Sequence, residues 1–324
     1  MADAAMQRKF SEALDALVGQ IQQDRSVLAA ILCGSLSHDQ VWAKSDIDLL
    51  LVTIDDKKVE AGHRALYADG VNVHAMLMPR ASFRKLVEGA VQQSFIHSFM
   101  TKGRLLYTHD DSIADLFATL EAARTGSIGE RDTELQLLNA AASALGPLDK
   151  AHKWFLTRGD LEYSSLYILY AATNLAQIEV LEARKLVDRE VIPQALALNP
   201  PLFKTIYVDL LNNKKTAKTV QAALDTIDGY LEARAPRLFA PVLEHLREAG
   251  DTRSATDIDH HFLRTHGIEC ISGACEYLAD LGLIGKAATT IQLTKKSNAS
   301  VQELAFFHLV KKPRAKQKTG RHGR

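Results

Sequence analysis

No excess of charge of either sign marks this sequence: lysine plus arginine and aspartate plus glutamate number 39 each in 324 residues. Bulk charge therefore does not make the chain a polyanion binder, and any basic patch must be local. Cysteine is scarce too. Cys33, Cys270 and Cys275 are the three present, and so odd and sparse a set neither staples a small fold nor spells a metal-ligand pattern. Cys33 lies in an apolar run, where a buried small hydrophobe is the expected role. Long apolar runs are absent; none approaches the roughly 20 residues that a membrane span needs. No membrane partner is expected. The opening MADAAMQRKF has no apolar stretch of the secretory kind. These absences together point to a reducing cytoplasm.

The rest is ordinary globular material, 47% hydrophobic and 24% charged, and the length suits roughly two or three domains. Phe10, Leu14, Leu17, Val18 and Ile21 recur at helical spacing. VLAAILCGSL is a short apolar run ending at Gly34-Ser35, and DIDLLLVTI follows from Asp46; both read as buried strands. VNVHAMLM, from Val71, is a third strand, entered through the turn signal Asp69-Gly70 and closed by Pro79. ASFRKLVEGAVQQSFIHSFMTKG reads as helix up to Gly103, then a short RLLY strand leads into another helix.

Composition changes after Arg124. TGSIGERD is polar and glycine-bearing, as a linker would be. From Thr133 to Glu248 strand signals nearly vanish, and helical patterns predict an all-α bundle. Near Gly250 two further helical patterns precede a hairpin pattern around the polar turn Lys295 to Ser300. Helix, helix and hairpin in that order predict a winged helix-turn-helix. The end, KKPRAKQKTGRHGR, is basic and low in apolar residues, the composition of a disordered tail.

Chemistry concentrates at Gly34-Ser35 followed, ten residues on, by Asp46-Ile47-Asp48. Side chains alternate along a strand, so Asp46 and Asp48 point to one side. Two carboxylates that close repel unless a cation lies between them. Magnesium prefers such hard oxygen ligands and keeps room for waters and phosphates. A glycine lets backbone approach a phosphate, and a serine can donate to it. A lone Asp-x-Asp is more commonly a solvated turn; the Gly-Ser upstream, between two apolar strands, is what favours a site.

GSLSHDQVWAKSDIDLLLV resembles the signature of the polymerase β nucleotidyltransferase superfamily, a Gly-Ser and then Asp-x-Asp on a strand. The resemblance implies transfer of a nucleoside monophosphate from a nucleoside triphosphate, ATP being the expected one, to a hydroxyl of an acceptor. It implies Mg2+ held by Asp46 and Asp48, with Gly34, Ser35 and Ser45 around the triphosphate. The acceptor is left open as a small molecule, a protein or an RNA end. The wider layout is similar to bacterial nucleotidyltransferase-like proteins of the YgxA type, with a helical substrate-binding region and a C-terminal winged helix. GDLEYSSLYILYAATNLAQIEVLEAR and REVIPQALALNPPLF carry that likeness, shared with kanamycin nucleotidyltransferase-like proteins. The implied fold class is α+β: an N-terminal nucleotidyltransferase mixed sheet with helices (1–118), a central all-α substrate-binding bundle (125–249), a C-terminal winged helix-turn-helix (250–312) and a basic tail (313–324).

Two positions depart from the pattern. Many members have a glycine shortly after the Gly-Ser; here LSHD stands there, with Asp39 near that place. The family's third carboxylate lies on the next strand, where this chain has His74. Imidazole ligates transition metals, whereas magnesium prefers oxygen. His74 is thus a candidate site residue, with a half-buried strand histidine as the bland alternative.

Weaker signals complete the reading. Glu162 and Glu179, in the segment resembling substrate-binding helices, are candidates for a base or positioning group, though surface glutamates are commoner. Trp154, Tyr163, Tyr167 and Tyr170 could wall a pocket, but aromatics at helical spacing are more often core. His260, His261 and His266 lack a ligand spacing. IECISGACEYLADLGLI, the helix that would read DNA, has no lysine or arginine; Lys295, Lys296 and the tail could hold phosphates, giving weak DNA binding at most. Besides the transferase, two readings stay open: a nucleotide sensor without turnover, marked by His74, and a DNA-binding regulator.

Overall fold

The computed structural model describes residues 4–34, 36, 42–56, 61–88, 103–125, 130–185, 187, 190–294 and 296–309. Two units are distinguished by their internal packing, Met1–Ala140 with Leu169–Lys214, and Ala141–Ile168 with Lys215–Arg324.

The first unit opens with α1 (Ala4–Ile21), whose Phe10, Ala13 and Leu14 are buried. Strands β1 (Val27–Cys33), β2 (Ile47–Thr53), β3 (Gly62–Ala68), β4 (Val71–Pro79) and β5 (Arg104–Thr108) form one mixed sheet in the order β3-β4-β2-β1-β5. β2 and β4 run parallel; the other neighbours are antiparallel. Apolar alternation covers both faces, as central strands require. Ala30, Leu32, Ile47, Leu49, Leu51, Val73 and Ala75 pack with the buried residues of α1. Ala29, Ile31, Cys33, Leu50 and Val52 pack on the other face with Phe83 of α2 (Arg80–Glu88) and with Ile113 and Phe117 of α3 (Asp111–Thr125).

Arg80 ties that second cover together. Its Nε lies 3.2 Å from Asp55 Oδ2 and its Nη1 2.8 Å from Asp110 Oδ2. Asp55 also accepts from Ala81 N–H at 2.7 Å, and Asp110 from Ser112 N–H at 2.9 Å, so each aspartate satisfies an orphan donor at a helix start.

β3 is a strand that the sequence patterns do not announce. It pairs with β4 through the two-residue turn Asp69-Gly70, where φ is +46° and +77°. Positive φ at both positions gives the turn whose twist suits a hairpin, and Asp-Gly is a favoured pair for it. The helix expected from residue 81 to Gly103 is observed as Arg80–Glu88; residues 89–102 lie outside the described residues. The linker expected at TGSIGERD is shorter than its composition suggests, because α3 runs to Thr125 and α4 (Glu130–Arg158) starts at Glu130.

The helical series continues with α5 (Leu161–Glu182), α6 (Val191–Leu198) and α7 (Pro200–Phe203), then a π-helical turn at Lys204–Val208 and α8 (Asp209–Asn212). In the second unit, α9 (Ala217–Leu238) buries Val220, Ala223, Leu224, Ile227, Tyr230 and Leu231, a stripe at helical spacing. Thr216 and Thr219 cap its start reciprocally. After α10 (Ala240–Ala249), Gly250 adopts φ +68° and ends the helix in the left-handed region. Then come β6 (Arg253–Ser254), α11 (Ala255–His266), α12 (Ile271–Asp280), β7 (Ile284–Gln292) and β8 (Ser300–His308), the three strands ordered β6-β8-β7. Among the described residues, no helix is long and apolar enough to cross a membrane.

Candidate metal centre

The parallel register of β2 and β4 sets Asp48 directly opposite His74 and Ile47 opposite Val73. Residues paired across two strands project to the same face. Asp48 is the one residue of β2 that is not buried. It therefore stands where the cover supplied by α2 and α3 stops. Asp46 precedes β2 by one residue and, by the two-residue period of extended chain, turns to the same side.

The outcome is a cluster of three side chains. His74 Nδ1 lies 2.9 Å from Asp46 Oδ2 and 4.0 Å from Asp48 Oδ1. One ligand atom from each of the three falls within 4.8 Å of the others. The side chains are reachable from solvent, 37% exposed for Asp46, 28% for Asp48 and 60% for His74. Beside them opens a cavity of about 540 Å³ lined by Asp48, Leu49, His63, Arg64, Ala65, His74 and Met76.

Donors adjacent around a small divalent cation sit about 3 Å apart when each bond is about 2.1 Å. The 2.9 Å separation fits that spacing, and the 4.0 Å separation would have to close by about 1 Å, a side-chain movement that leaves the sheet in place. Two carboxylates supply the negative charge that a dication requires, and the imidazole supplies a nitrogen donor. Among the described residues, this is the cluster of three or more His, Cys, Asp or Glu that could hold a metal ion.

Gly34, expected to approach a phosphate, meets a nearer demand. It follows β1 with φ +66°, a conformation that suits glycine. A Cβ at this position would overlap the Asp48 carboxylate, coming 2.9 Å from its Cγ. Neighbouring Cys33 is fully buried, and burial, then the charge of Asp48, push its thiol up to about 12.

Ser45 closes a turn: its Oγ accepts from Trp42 N–H at 3.0 Å, and its own N–H donates to Trp42 O at 2.9 Å. Ser35 and Asp39 lie outside the described residues. Glu179 accepts from the side-chain amide of Asn199 at 3.0 Å, while Asn199 Oδ1 caps α7 by accepting from Leu202 N–H at 3.3 Å. Glu162 is exposed in the first turn of α5, where the helix dipole favours an acid.

The aromatics are not core residues as helical spacing suggests: Tyr163 is 43% and Tyr170 56% exposed. Trp154 packs against Tyr163 at 4.7 Å and carries Arg158 over its face at 4.4 Å. His261 stacks on His245 at 4.1 Å, and no metal cluster forms there among the described residues. Sequence reasoning overlooked His63 and Arg64 beside the cavity. Their signal was a basic pair in a segment with no apolar alternation, which became legible only once β3 was paired.

No protein-family model matches the chain. No curated protein matches it either. Among solved structures, the chain is similar to a nucleotidyltransferase-like protein from Exiguobacterium sibiricum 255-15. The two share 17% identity and a TM-score of 0.61, over 92% of this chain and 99% of that one. The chain has a nucleotidyltransferase-like fold. At that identity the likeness is one of fold.

Proposed function

We propose that this chain is a metal-dependent nucleotidyltransferase, moving a nucleoside monophosphate from a triphosphate to a hydroxyl acceptor. The observation that carries the reading is the convergence of Asp46, Asp48 and His74 at the uncovered end of the sheet, beside a cavity. These three would hold a divalent cation. When bound, such a cation neutralises phosphate charge and steadies the leaving group.

The chain's own residues do the rest. Arg64 and His63 line the cavity and offer positive charge or hydrogen-bond donors to phosphate oxygens. Gly34 keeps the Asp48 carboxylate in place by leaving room for it. In the transfer, the acceptor oxygen bonds to the α-phosphorus and the α–β bridging bond breaks. Pyrophosphate leaves, and the hydroxyl proton passes to a base or to water. ATP is the triphosphate proposed from the sequence resemblance. The acceptor is a small molecule, a protein or an RNA end, held by the helical region.

For the C-terminal module we adopt the winged helix-turn-helix as the architecture: Ser254 caps α11 through Asp257 N–H, and β7 and β8 make the hairpin. Its α12 carries Glu276 and Asp280 and no lysine or arginine, which argues against base readout as the main activity.

The test is to incubate the full chain with each α-labelled nucleoside triphosphate, divalent cation and fractionated cell extract. Label transfer with pyrophosphate release, lost in the Asp46→Asn, Asp48→Asn double variant, is the expected result. Cation-dependent triphosphate binding with no pyrophosphate released in any fraction would reassign the chain as a nucleotide sensor.

A further inference from the structure

We infer that the Asp46, Asp48 and His74 centre selects a first-row transition cation of the Fe2+ to Zn2+ range over Mg2+. The inference rests on the reading above that these side chains hold a cation, and goes on to name which chemical class of cation.

Three observations carry it. The third donor is a nitrogen placed as closely as the carboxylates could be, with His74 Nδ1 2.9 Å from Asp46 Oδ2. Its place is set by the ladder, since His74 is the direct cross-strand partner of Asp48 in a parallel pair. Backbone pairing on a central strand sets where its side chain starts, on the face that Asp48 shares. Second, among the described residues the cavity lining supplies no third carboxylate. Beyond Asp48 and His74 its polar members are His63 and Arg64, and an arginine cannot ligate. Third, Cys33 is fully buried, packed with Ala29, Ile31, Leu50 and Val52, and is not a member of the cluster. Among the described residues the clustered donors are thus two carboxylate oxygens and one imidazole nitrogen.

Cation chemistry separates the candidates on that set. Mg2+ takes oxygen ligands in near-ideal octahedral geometry and gives up water reluctantly, so a nitrogen in the third place weakens it. Imidazole suits iron, nickel, copper and zinc, and affinity for mixed nitrogen and oxygen sites rises from Mn2+ toward Cu2+. A soft set of thiolates would point to copper(I) or an iron–sulfur cluster, and nothing of that kind is present at this cluster. The rival account is that His74 only hydrogen-bonds Asp46 and never meets a cation.

Co2+ is the probe, because its visible absorption reports the donors around it. The full chain is titrated with Co2+, then with Mg2+ in competition, and the proton spectrum of the Co2+ form is searched for a shifted imidazole resonance. Binding of Co2+ at least about tenfold tighter than Mg2+ is expected, as is the shifted resonance. His74→Asp should erase or reverse the preference, and His74→Asn should weaken Co2+ about tenfold or more without restoring Mg2+. Equal affinity for the two ions with no shifted imidazole in the wild-type chain overturns the inference and leaves the transferase reading standing. Co2+ binding that is unchanged in Asp46→Asn, Asp48→Asn removes both. The wild-type resonance decides the matter even if a His74 variant does not fold.

Discussion

Gly34 leaves the space that the Asp48 carboxylate fills. The two residues meet because Cys33, just before the glycine, is the antiparallel partner of Asp48. The first strand thus shapes the site without contributing a ligand. Its φ of +66° and the overlap that a Cβ would make fall on the same residue. Gly34→Ala is therefore expected to act twice. Left-handed backbone costs an alanine about 1 kcal/mol, and the methyl group displaces Asp48. The chain should still fold, with a lower melting temperature, and should bind Co2+ at least about tenfold more weakly, since a misplaced ligand loses most of its contribution. Wild-type cation affinity in a folded Gly34→Ala chain would show that Asp48 is not held where the ligand must be.

Replacing both aspartates separates the site from the fold. Asp46 and Asp48 lie close together at a solvent-reachable end of the sheet, where two carboxylates repel each other. The double variant Asp46→Asn, Asp48→Asn should lose cation-dependent triphosphate binding in a calorimetric titration. Its unfolding free energy should stay within about 0.5 kcal/mol of wild type, as for other substitutions at accessible positions. An amide oxygen can still accept from His74, so the 2.9 Å contact with Asp46 need not be lost. Retained triphosphate binding would remove these residues from the site.

The central sheet was legible because apolar period and burial agree. VLAAILC and IDLLLVT are buried nearly throughout, and their lengths and flanks say strand. The Asp-x-Asp placement followed from the same period, and so did His74 once β4 was set beside β2. β3 was not legible, because an exposed edge strand owes its conformation to pairing with β4 and not to its own pattern. His63 and Arg64 were hidden with it. The claim of Asp48 on Gly34 was also invisible, since it depends on antiparallel register, which one chain segment does not encode. For Glu179 and Ser45 the sequence does not give the surroundings: Glu179 accepts from the Asn199 amide, and Ser45 closes a tight turn with Trp42.

His152 gives the second unit a pH dependence of definite sign. Its Nε2 lies 3.0 Å from Asp228 Oδ1. That hydrogen bond raises its pKa above the ordinary 6.5; burial opposes, and the charges of Asp228, Asp149 and Asp225 add to the rise. The folded chain then binds this proton more tightly than the unfolded chain. The stabilisation is complete below the unfolded value of 6.5 and is lost as pH climbs through the folded value. His245 works the other way, its pKa lowered by burial first and then by His261, so a single melting profile mixes the two. The informative quantity is the melting-temperature difference between wild type and His152→Gln. It should be largest near about pH 5.5 and shrink as pH rises. A difference that grows with pH would mean that His152 is neutral beside Asp228.

DNA affinity, if the C-terminal module has any, should be weak and indifferent to sequence. In the winged-helix reading proposed above, the helix that would meet bases is α12, which buries Ile271, Ala274, Cys275 and Leu278 and offers acids at Glu276 and Asp280. One of those acids already engages the hairpin, with Lys286 Nζ 3.5 Å from Glu276 Oε2. Acids on the exposed side of a helix are repelled by the phosphates of a duplex, and α12 has no lysine or arginine to offset them. Basic residues remain between β7 and β8 at Lys296 and in the segment Lys311 to Arg324, which lies outside the described residues. Contacts of that kind neutralise phosphates and carry no sequence information directly. The logarithm of affinity should then fall with the logarithm of salt by about 0.9 per phosphate contacted. Deleting residues 311–324 should flatten that slope and remove most of the binding to a duplex, measured by fluorescence anisotropy at several salt concentrations. Protection of one defined duplex sequence at physiological salt, kept without residues 311–324, would make regulation of DNA the leading role for this module.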